Sequence, residues 1–323
     1  MTHTVFIDGE EGTTGLQMRQ RLEGRRELDL IHLPEAKRKD TAARRAALND
    51  ADLAILCLPD AAAVAAAALV DSPTTRVIDA STAHRVADGW VYGFPEMARY
   101  HAEAIAEARR VTNPGCYPTG AIGLIRPLVS AGLVPADYPI QINAVSGYTG
   151  GGKSLIARFE ESGAKNAISS AFFVYGLGFE HKHVPEMRLY SGLDNPPLFV
   201  PSVGRFRQGM IVQVPLSLWR LPGTPSVAQV RQTLEAYYRD CRFVTVADEE
   251  ETAARRALLD PEDLNGTNHL RLFVFGNEDL RQVVLAAQLD NLGKGASGQA
   301  VQNLNLMLGL PETAGLEAEA VFS

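Results

Sequence analysis

The stretch TVFIDGEEGTTG, residues 4–15, decides the class of fold. A short β-rich run comes first, and glycines then follow in the spacing GxxGxxG, at Gly9, Gly12 and Gly15, before a helical pattern begins. Strand, glycine turn and helix in this order allow the backbone to approach a pyrophosphate at the helix N-terminus. We therefore predict a dinucleotide loop here, with Thr13 and Thr14 as hydroxyl donors. Because the common fingerprint is GxGxxG, a plain glycine-rich turn is the alternative.

Strands continue to alternate with helices beyond this loop. Near-continuous apolar runs at residues 28–33, 53–58 and 76–79 indicate strands, and residues 40–49 and 61–70 have helical patterns. Apolar runs of this kind are typical of parallel strands that are covered on both faces. The first part of the chain is therefore predicted to be an α/β, Rossmann-like, doubly wound parallel sheet.

The pattern changes after residue 116. Longer β-rich runs at residues 140–145, 210–219, 271–275 and 283–289 enclose two helical stretches, residues 227–239 and 249–259. They predict a second, α+β domain with a largely antiparallel sheet. We place the dinucleotide-binding domain at residues 1–115 and the catalytic and dimerisation domain at 116–294, and expect a C-terminal helix within 295–310 to return to the first domain.

Size, charge and cysteine content restrict the class of protein. A chain of 323 residues suggests about two domains. The net charge of −7 argues against a general nucleic-acid or anionic-membrane binder, and no apolar run approaches the roughly 20 residues of a membrane span. Cys57, Cys116 and Cys241 are an odd, widely spaced set, which is a poor disulfide framework. We therefore expect a cytoplasmic protein with a small-molecule substrate.

The end of the second predicted strand should face the adenine ribose of a dinucleotide. An acidic residue there favours NAD, and basic residues favour the 2′-phosphate of NADP. The sequence LPEAKRK, residues 33–39, offers Glu35 for NAD but then three cations, Lys37, Arg38 and Lys39. We predict NADP with Arg38 as the phosphate partner, and a solvated basic loop is the alternative.

The stretch VTNPGCYPTG, residues 111–120, places Cys116 between a Pro-Gly turn and an apparent helix start. The helix macrodipole favours a thiolate at that position, and the thiolate is the nucleophilic form of cysteine. A buried structural cysteine is the alternative, and that interpretation fits Cys57 within the apolar run LAILCL. Cys241 lacks any chemical context. Cys116 is therefore the candidate nucleophile.

His181 and His183 stand two residues apart in EHKHVPE, residues 180–186. If this segment is extended, their side chains share a face, and one of them is predicted to be the acid–base partner of Cys116. Spacing alone does not rank them, and we slightly prefer His181 as the base. A zinc site is a rival interpretation without further ligands at suitable spacing, and a surface loop holding two histidines by chance is another.

The segment SGYTGGGKS, residues 146–154, formally meets the P-loop pattern from Gly147 onward. No acidic strand of the Walker type follows it, and a dinucleotide loop already lies at the N-terminal end. We therefore expect a flexible loop that touches the substrate, with Gly147 on the substrate side.

Together these motifs resemble the shorter form of the N-acetyl-γ-glutamyl-phosphate reductases, in the semialdehyde dehydrogenase superfamily. The resemblance runs along most of the chain and rests on the glycine loop, NPGCYPT at 113–119, HKHVPE at 181–186 and DNLGKGASGQAVQN at 290–303. It implies a Rossmann domain followed by an α+β domain, NADPH as cofactor, and a homo-oligomer, either dimer or tetramer. It also implies a step of arginine biosynthesis, in which an acyl phosphate is reduced to N-acetylglutamate 5-semialdehyde and phosphate through a thioester on Cys116.

The resemblance extends to DASTAHR, residues 79–85, and implies Ser81 near the nicotinamide and Arg85 near the substrate phosphate or carboxylate. It also places Asn113 on the substrate side. The chain departs from the longer family members at the acidic Glu10 and Glu11 of the glycine loop. It departs again around Ser202, where the histidine expected after proline is missing.

Three alternatives remain open from the sequence. The chain could be a related reductase of aspartyl or aminoadipyl phosphate, which specificity constants would distinguish. It could be a hydrolase that uses Cys116 and His183 and binds no dinucleotide. It could also be a nucleotide-sensing binding protein, in which replacement of Cys116 would change nothing catalytic.

Overall fold

The computed structural model describes residues 2–161 and 163–316, which divide into two compact units. The first unit runs to Pro114 and includes the chain again from Ala296, and the second is Gly115–Gly295. The first unit contains six strands and five α-helices within the described residues: β1 His3–Asp8, α1 Thr13–Leu22, β2 Leu28–Ile31, α2 Thr41–Asp50, β3 Leu53–Leu56, α3 Asp60–Ala67, β4 Arg76–Asp79, β5 Val91–Tyr92, α4 His101–Glu107, β6 Arg110–Thr112 and, near the C-terminal end, α10 Gly298–Met307.

All six strands of this unit are parallel, in the order β2-β1-β3-β4-β6-β5. The strand β3 is buried at every position, and an apolar cluster on its α2 and α3 side includes Phe6, Leu48 and Ala54. The chain order reverses between β1 and β3, which is where ligands bind in doubly wound sheets, beyond the carboxyl ends of the strands. The glycine loop follows β1 at this reversal. The predicted Rossmann-like sheet is confirmed.

The second unit contains seven strands and five α-helices in its described part: α5 Cys116–Ser130, β7 Gln141–Gly147, α6 Gly152–Glu160, β8 Phe172–Val174, α7 Val184–Ser191, β9 Leu198–Gly204, β10 Met210–Ser217, α8 Val227–Tyr238, β11 Val244–Val246, α9 Glu249–Ala254, β12 Leu270–Asn277 and β13 Gln282–Leu289. The strand order is β11-β12-β13-β10-β7-β9-β8. The pairs β11–β12 and β7–β9 are parallel and the others antiparallel, so the expectation of a largely antiparallel second sheet is confirmed.

The helix α5 is the central helix of this unit, because it packs against β10, β12 and β13 as well as α7 and α8. Small residues let it approach the sheet closely. A Cβ atom on Gly120 would lie 2.8 Å from a methyl group of Val212, and one on Gly123 would lie 3.0 Å from a methyl group of Leu270. Most of its residues are buried, so the position of its first residue is fixed by packing along its whole length.

The helix predicted at residues 249–259 ends early, at Ala254. After Ala254 the chain turns, and Leu259 packs on the apolar cluster of Ile211, Phe273 and Ala286. Pro261 also disfavours a helical conformation at the residue that precedes it. Strands β5, β6, β8, β9 and β11 were not singled out in the sequence. No helix within the described ranges is long and apolar enough to cross a membrane.

The start of α8 offers a test of the second unit. The Ser226 hydroxyl accepts the Gln229 backbone N–H at 3.1 Å, and the Gln229 side chain accepts the Ser226 N–H at 2.8 Å. We expect Ser226→Ala to lower the free energy of unfolding by about 0.5–2 kcal/mol, measured by urea denaturation and circular dichroism. The control Gln232→Ala, at an exposed position inside the same helix, should change it by less than about 0.5 kcal/mol. Equal stability of the Ser226→Ala variant and the wild type would contradict a stabilising cap.

Candidate active site

Cys116 is the first residue of α5, and Gly115 is the N-cap in an extended conformation. The backbone N–H of Gly115 donates a hydrogen bond to the Glu186 carboxylate at 3.1 Å. Gly295 packs so closely that a Cβ there would lie 2.8 Å from the Cβ of Cys116. The thiol is thus held at a helix N-terminus, where the macrodipole favours its ionised, nucleophilic form. None of the three cysteines, all within the described residues, forms a disulfide.

Two tyrosine hydroxyls lie beside Cys116. The Tyr175 hydroxyl donates to the Tyr117 hydroxyl at 3.2 Å, and the Tyr117 hydroxyl donates to the Ser202 carbonyl at 3.2 Å. Burial raises the pKa of Tyr117 well above its usual value, and the neighbouring Tyr175 and Cys116 raise it further. Burial, together with Cys116, raises the pKa of Tyr175 to about 12 although the hydrogen bond to Tyr117 opposes this. Both phenols therefore stay protonated and neutral near pH 7.

The two histidines lie in a turn that leads into α7, so the expectation of an extended segment is wrong. His183 is the N-cap residue, with φ −86° and ψ −12°, because Pro185 and Glu186 favour the first turn of a helix directly after it. The turn nevertheless brings the two rings together, with centroids 4.7 Å apart. Each ring also lies 5.9 Å from the ring of Tyr117, so the histidine motif and the cysteine motif meet in the second unit.

Two hydrogen bonds engage the ring of His181. The Nδ1 atom of His181 accepts the backbone N–H of His183 at 3.1 Å. A neutral imidazole has one donor and one acceptor nitrogen, so the His181 proton is assigned to Nε2, which faces the Tyr175 hydroxyl at 3.4 Å. Both ring nitrogens of His181 are therefore committed to protein groups. His183 is 7% exposed and lies against Tyr117.

The glycine loop of the first unit is shaped to receive a dinucleotide. Gly9 has φ +89°, and a Cβ on Gly15 would lie 2.8 Å from the Cα of Glu10, so side chains are excluded at both positions. The hydroxyl oxygen of Thr13, in the first turn of α1, is buried without a hydrogen-bond partner in the part of the chain that the structure describes. The loop borders a cavity of about 430 Å³ lined also by Arg38, Lys39 and Arg44. Gly12, the N-cap of α1, and Thr14 complete the predicted loop.

The cations of this cavity differ in their pairing. Arg44 binds the Asp8 carboxylate with a shortest distance of 2.7 Å. Arg38, the predicted phosphate partner, pairs with Glu10 at 3.2 Å and with Glu11. Lys39 makes no ion pair with any described residue.

Ser81, Arg85 and Asn113 lie at the carboxyl edge of the same sheet, after β4 and β6. The backbone N–H and the hydroxyl of Ser81 both donate to the Asp79 carboxylate, at 2.9 and 2.8 Å. The Arg85 guanidinium donates to the Asn113 carbonyl at 3.0 Å. The Asn113 side chain donates to the Ala296 carbonyl at 2.9 Å and accepts from an Asn303 side chain at 3.1 Å. These bonds order the loops in which the three residues lie, and their predicted ligand contacts stay predictions.

Gly147 ends β7 and donates its N–H to the Gly209 carbonyl at 2.9 Å. A Cβ at Gly147 would lie 2.6 Å from the carbonyl oxygen of Arg207, which explains why glycine is needed there. The segment after it was expected to be a flexible loop, and that expectation is wrong, because residues Tyr148–Gly151 form a 3-10 turn that leads directly into α6. Backbone bonds from Tyr148 and Thr149 to the chain at 206–207 stabilise this turn.

Three residues of the site were not identified from the sequence as functional. Tyr117 could have been considered because it adjoins Cys116, and Glu186 because it belongs to the HKHVPE motif. Glu186 is 1% exposed and holds the cap of α5. Tyr175 carried no signal, since only the fold brings its hydroxyl to Tyr117 and His181. Within the described residues, no group of three His, Cys, Asp or Glu side chains could hold a metal ion.

Comparisons with known proteins match both units. The family model described as the semialdehyde dehydrogenase NAD binding domain matches residues 4–105, and the one described as the semialdehyde dehydrogenase dimerisation domain matches residues 116–291.

Among curated relatives, the chain is 55% identical over 311 residues to N-acetyl-γ-glutamyl-phosphate reductase of Burkholderia lata, covering 96% of this chain and 98% of that protein. It is 56% identical over 310 residues to the protein of that name from Brucella ovis, covering 96% and 100%. It is 53% identical over 317 residues to N-acetyl-γ-glutamyl-phosphate reductase 2 of a Nostoc species, covering 97% and 98%.

Solved structures share the fold at low sequence identity. Aspartate semialdehyde dehydrogenase II of Vibrio cholerae superposes with a TM-score of 0.68 at 17% identity, covering 96% of this chain and 99% of that one. The aspartate semialdehyde dehydrogenase of Candida albicans, solved with NADP, gives a TM-score of 0.60 at 13% identity, covering 95% and 99%.

The three cysteines should react very differently with iodoacetamide. Burial and the carboxylates of Asp79 and Asp8 raise the pKa of Cys57 to about 12, so at pH 8 only about one Cys57 thiol in 10⁴ is ionised. We expect Cys116 to label first, Cys241 more slowly, and Cys57 hardly at all, measured by mass spectrometry of peptides from the native protein. In urea all three should label alike. Labelling of native Cys57 as fast as Cys116 would contradict this ranking.

Proposed function

Since the chain belongs to the semialdehyde dehydrogenase family and matches N-acetyl-γ-glutamyl-phosphate reductases over nearly all of its length, we propose that it performs their reaction. It would reduce N-acetyl-γ-glutamyl phosphate to N-acetylglutamate 5-semialdehyde and release phosphate, as a step of arginine biosynthesis. The observation that carries this proposal is the placement of Cys116 at the first position of α5, in one cluster with Tyr117 and the two histidines.

Cys116 is the nucleophile in this proposal. Its thiolate attacks the acyl carbon, a C–S bond forms, the C–O bond to phosphate breaks, and phosphate leaves with the electron pair of that bond. The product is a thioester on Cys116, which accepts hydride more readily than a carboxylate does. The dipole of α5 favours the thiolate both before attack and when it is released again. Tyr117 and Tyr175, as neutral phenols beside the sulfur, add no opposing negative charge.

We propose His183 as the acid–base group. The sequence slightly favours His181, but the His181 Nδ1 accepts the N–H of His183 and its Nε2 faces Tyr175. These bonds suit His181 to positioning the turn that carries His183. His183 donates a proton to the carbonyl oxygen as the thioester becomes a thiohemiacetal on Cys116, and takes that proton back when the C–S bond breaks and the aldehyde is released.

The cofactor of the proposal is NADPH, which supplies the hydride when bound. The match to an NAD binding domain assigns the chain a nicotinamide cofactor, and the shape of the glycine loop fits a dinucleotide. Gly9, Gly12 and Gly15 with Thr13 and Thr14 would hold the pyrophosphate, and the cations of residues 37–39 favour the phosphorylated form. Ser81 is proposed on the nicotinamide side, and Arg85, Asn113 and Gly147 on the substrate side.

The two units have separate proposed tasks. Residues 1–115 with the helix within 295–310 bind the dinucleotide, and residues 116–294 carry the nucleophile and the dimer contacts, which the dimerisation-domain match supports. We propose a homo-oligomer, either dimer or tetramer. The scheme needs a reduced thiol, so the proposed compartment is the cytoplasm.

A reverse assay tests the reaction. Purified protein is given N-acetylglutamate 5-semialdehyde, phosphate and NADP⁺, with each omitted in turn, and NADPH formation is followed at 340 nm. We expect formation only in the complete mixture, with a lower specificity constant for aspartate semialdehyde. Cys116→Ser should abolish turnover and retain NADPH binding, because it removes the thiolate alone. The matched control Cys241→Ser should keep wild-type turnover. Full activity of Cys116→Ser would overturn the thioester scheme.

The histidine assignment has its own test. We expect His183→Asn to lower turnover by about 10²–10⁴-fold, the usual loss for a positioned acid–base group, and to remove its ionisation from the pH–rate profile. His181→Asn should cost less than about 10²-fold and keep that ionisation, because it acts through position. The reverse ranking would assign the proton transfer to His181, and near-normal turnover of both variants would show that another group moves the proton.

A further inference from the structure

The glycine loop contains two adjacent carboxylates, at Glu10 and Glu11, and both point at one cation. Arg38 pairs with Glu10 at 3.2 Å through Nη2 and with Glu11 through Nη1. Its Nε donates to the Leu33 carbonyl at 3.2 Å. Each of the three nitrogens of the guanidinium thus has an acceptor within the first unit. Arg38, the predicted phosphate partner, is therefore already neutralised by the chain itself.

The two carboxylates differ in exposure and in the number of charged groups around them. The Glu10 side chain is 11% exposed and lies also within 3.5 Å of His32 and 3.9 Å of Arg19, so several groups hold it. The Glu11 side chain is 65% exposed, and its single ion pair among the described residues is the one with Arg38. Because an exposed pair contributes little free energy, Glu11 is the partner that Arg38 can give up.

Whether the loss of the Glu11–Arg38 pair affects phosphate binding depends on the other two cations that line the cavity, Arg44 and Lys39. Arg44 is held by Asp8, and Lys39 is the lining cation without an ion pair in the described part of the chain. A 2′-phosphate carries close to two negative charges near neutral pH. Lys39 alone does not balance it, whereas Arg38 released from Glu11 offers the N–H groups of its Nη1 to the phosphate, while Glu10 still holds Nη2.

We propose that Glu11 tunes the preference for a phosphorylated ribose by competing with the 2′-phosphate for Arg38. With an unphosphorylated ribose the Glu11–Arg38 pair stays closed, and with a 2′-phosphate Glu11 is replaced and turns to solvent. Glu10 remains in place and keeps Arg38 over the cavity. The inference rests on the proposed use of NADPH and adds to it a residue that opposes the phosphate contact.

The test uses two ligands that differ only in the 2′-phosphate, adenosine 2′,5′-bisphosphate and 5′-AMP, measured by isothermal titration calorimetry on the full chain. Both carry the 5′-phosphate, so repulsion between that group and the loop cancels in the ratio of dissociation constants. We expect Glu11→Gln to improve the affinity for the bisphosphate by about 1.5- to 5-fold relative to 5′-AMP, the range for removal of an exposed ion pair. The gain should shrink in high salt, since exposed charges are screened.

Two further variants show where the gain arises. Glu23→Gln removes one negative charge from the end of α1, where Glu23 pairs with Arg19, and should leave the ratio unchanged. In an Arg38→Gln background, Glu11→Gln should give no gain, because the contested cation is gone. An unchanged ratio in Glu11→Gln, or a gain that persists without Arg38, would overturn the inference while leaving NADPH use intact. A wild-type protein that binds 5′-AMP at least as well as the bisphosphate would overturn the proposed NADPH preference and this inference with it.

Discussion

The burial of α5 against the second sheet is the interaction on which the candidate site depends. Gly120 and Gly123 allow the helix to lie directly on the side chains of β10 and β12, and a helix packed along its length cannot move its first residue independently. Cys116 is that first residue, and its cap is tied through Gly115 to the buried Glu186. The histidine turn begins the helix that contains Glu186, so the same packing sets the positions of Cys116, Glu186 and the two histidines.

Near the Cys116 sulfur, polar groups of the protein form hydrogen bonds with one another. Tyr175, Tyr117 and the Ser202 carbonyl form a chain of hydrogen bonds, and His181 joins it through Nε2. Burial keeps both phenols protonated, so neither places a negative charge beside the Cys116 sulfur. A buried polar network in which each member has a partner stabilises one arrangement of side chains over others. That is the requirement of a reaction in which a thiolate and a histidine must keep fixed positions.

In the cavity beside the glycine loop, ion pairs within the chain neutralise two of the three lining cations. Asp8 neutralises Arg44, and Glu10 and Glu11 neutralise Arg38. A basic run in the sequence therefore does not translate directly into a positive cavity. The glycines are required for steric reasons, since any side chain at Gly9 or Gly15 would clash with neighbouring backbone. Shape at this loop is set by sterics, and charge is set by ion pairs from three separate segments.

The sequence by itself determined the local features. The parallel first sheet, the largely antiparallel second sheet, the glycine turn and the cysteine at the start of a helix all follow from periodicity and from the conformations that glycine and proline allow. Short strands such as β5 and β11 are not predicted from the sequence, because two or three residues give no periodic pattern. Only the tertiary structure decided which histidine nitrogens are engaged, that Tyr175 reaches Tyr117, and that Arg38 is already paired. Those properties depend on contacts between residues far apart in the chain, and the directions of such side chains are fixed by packing.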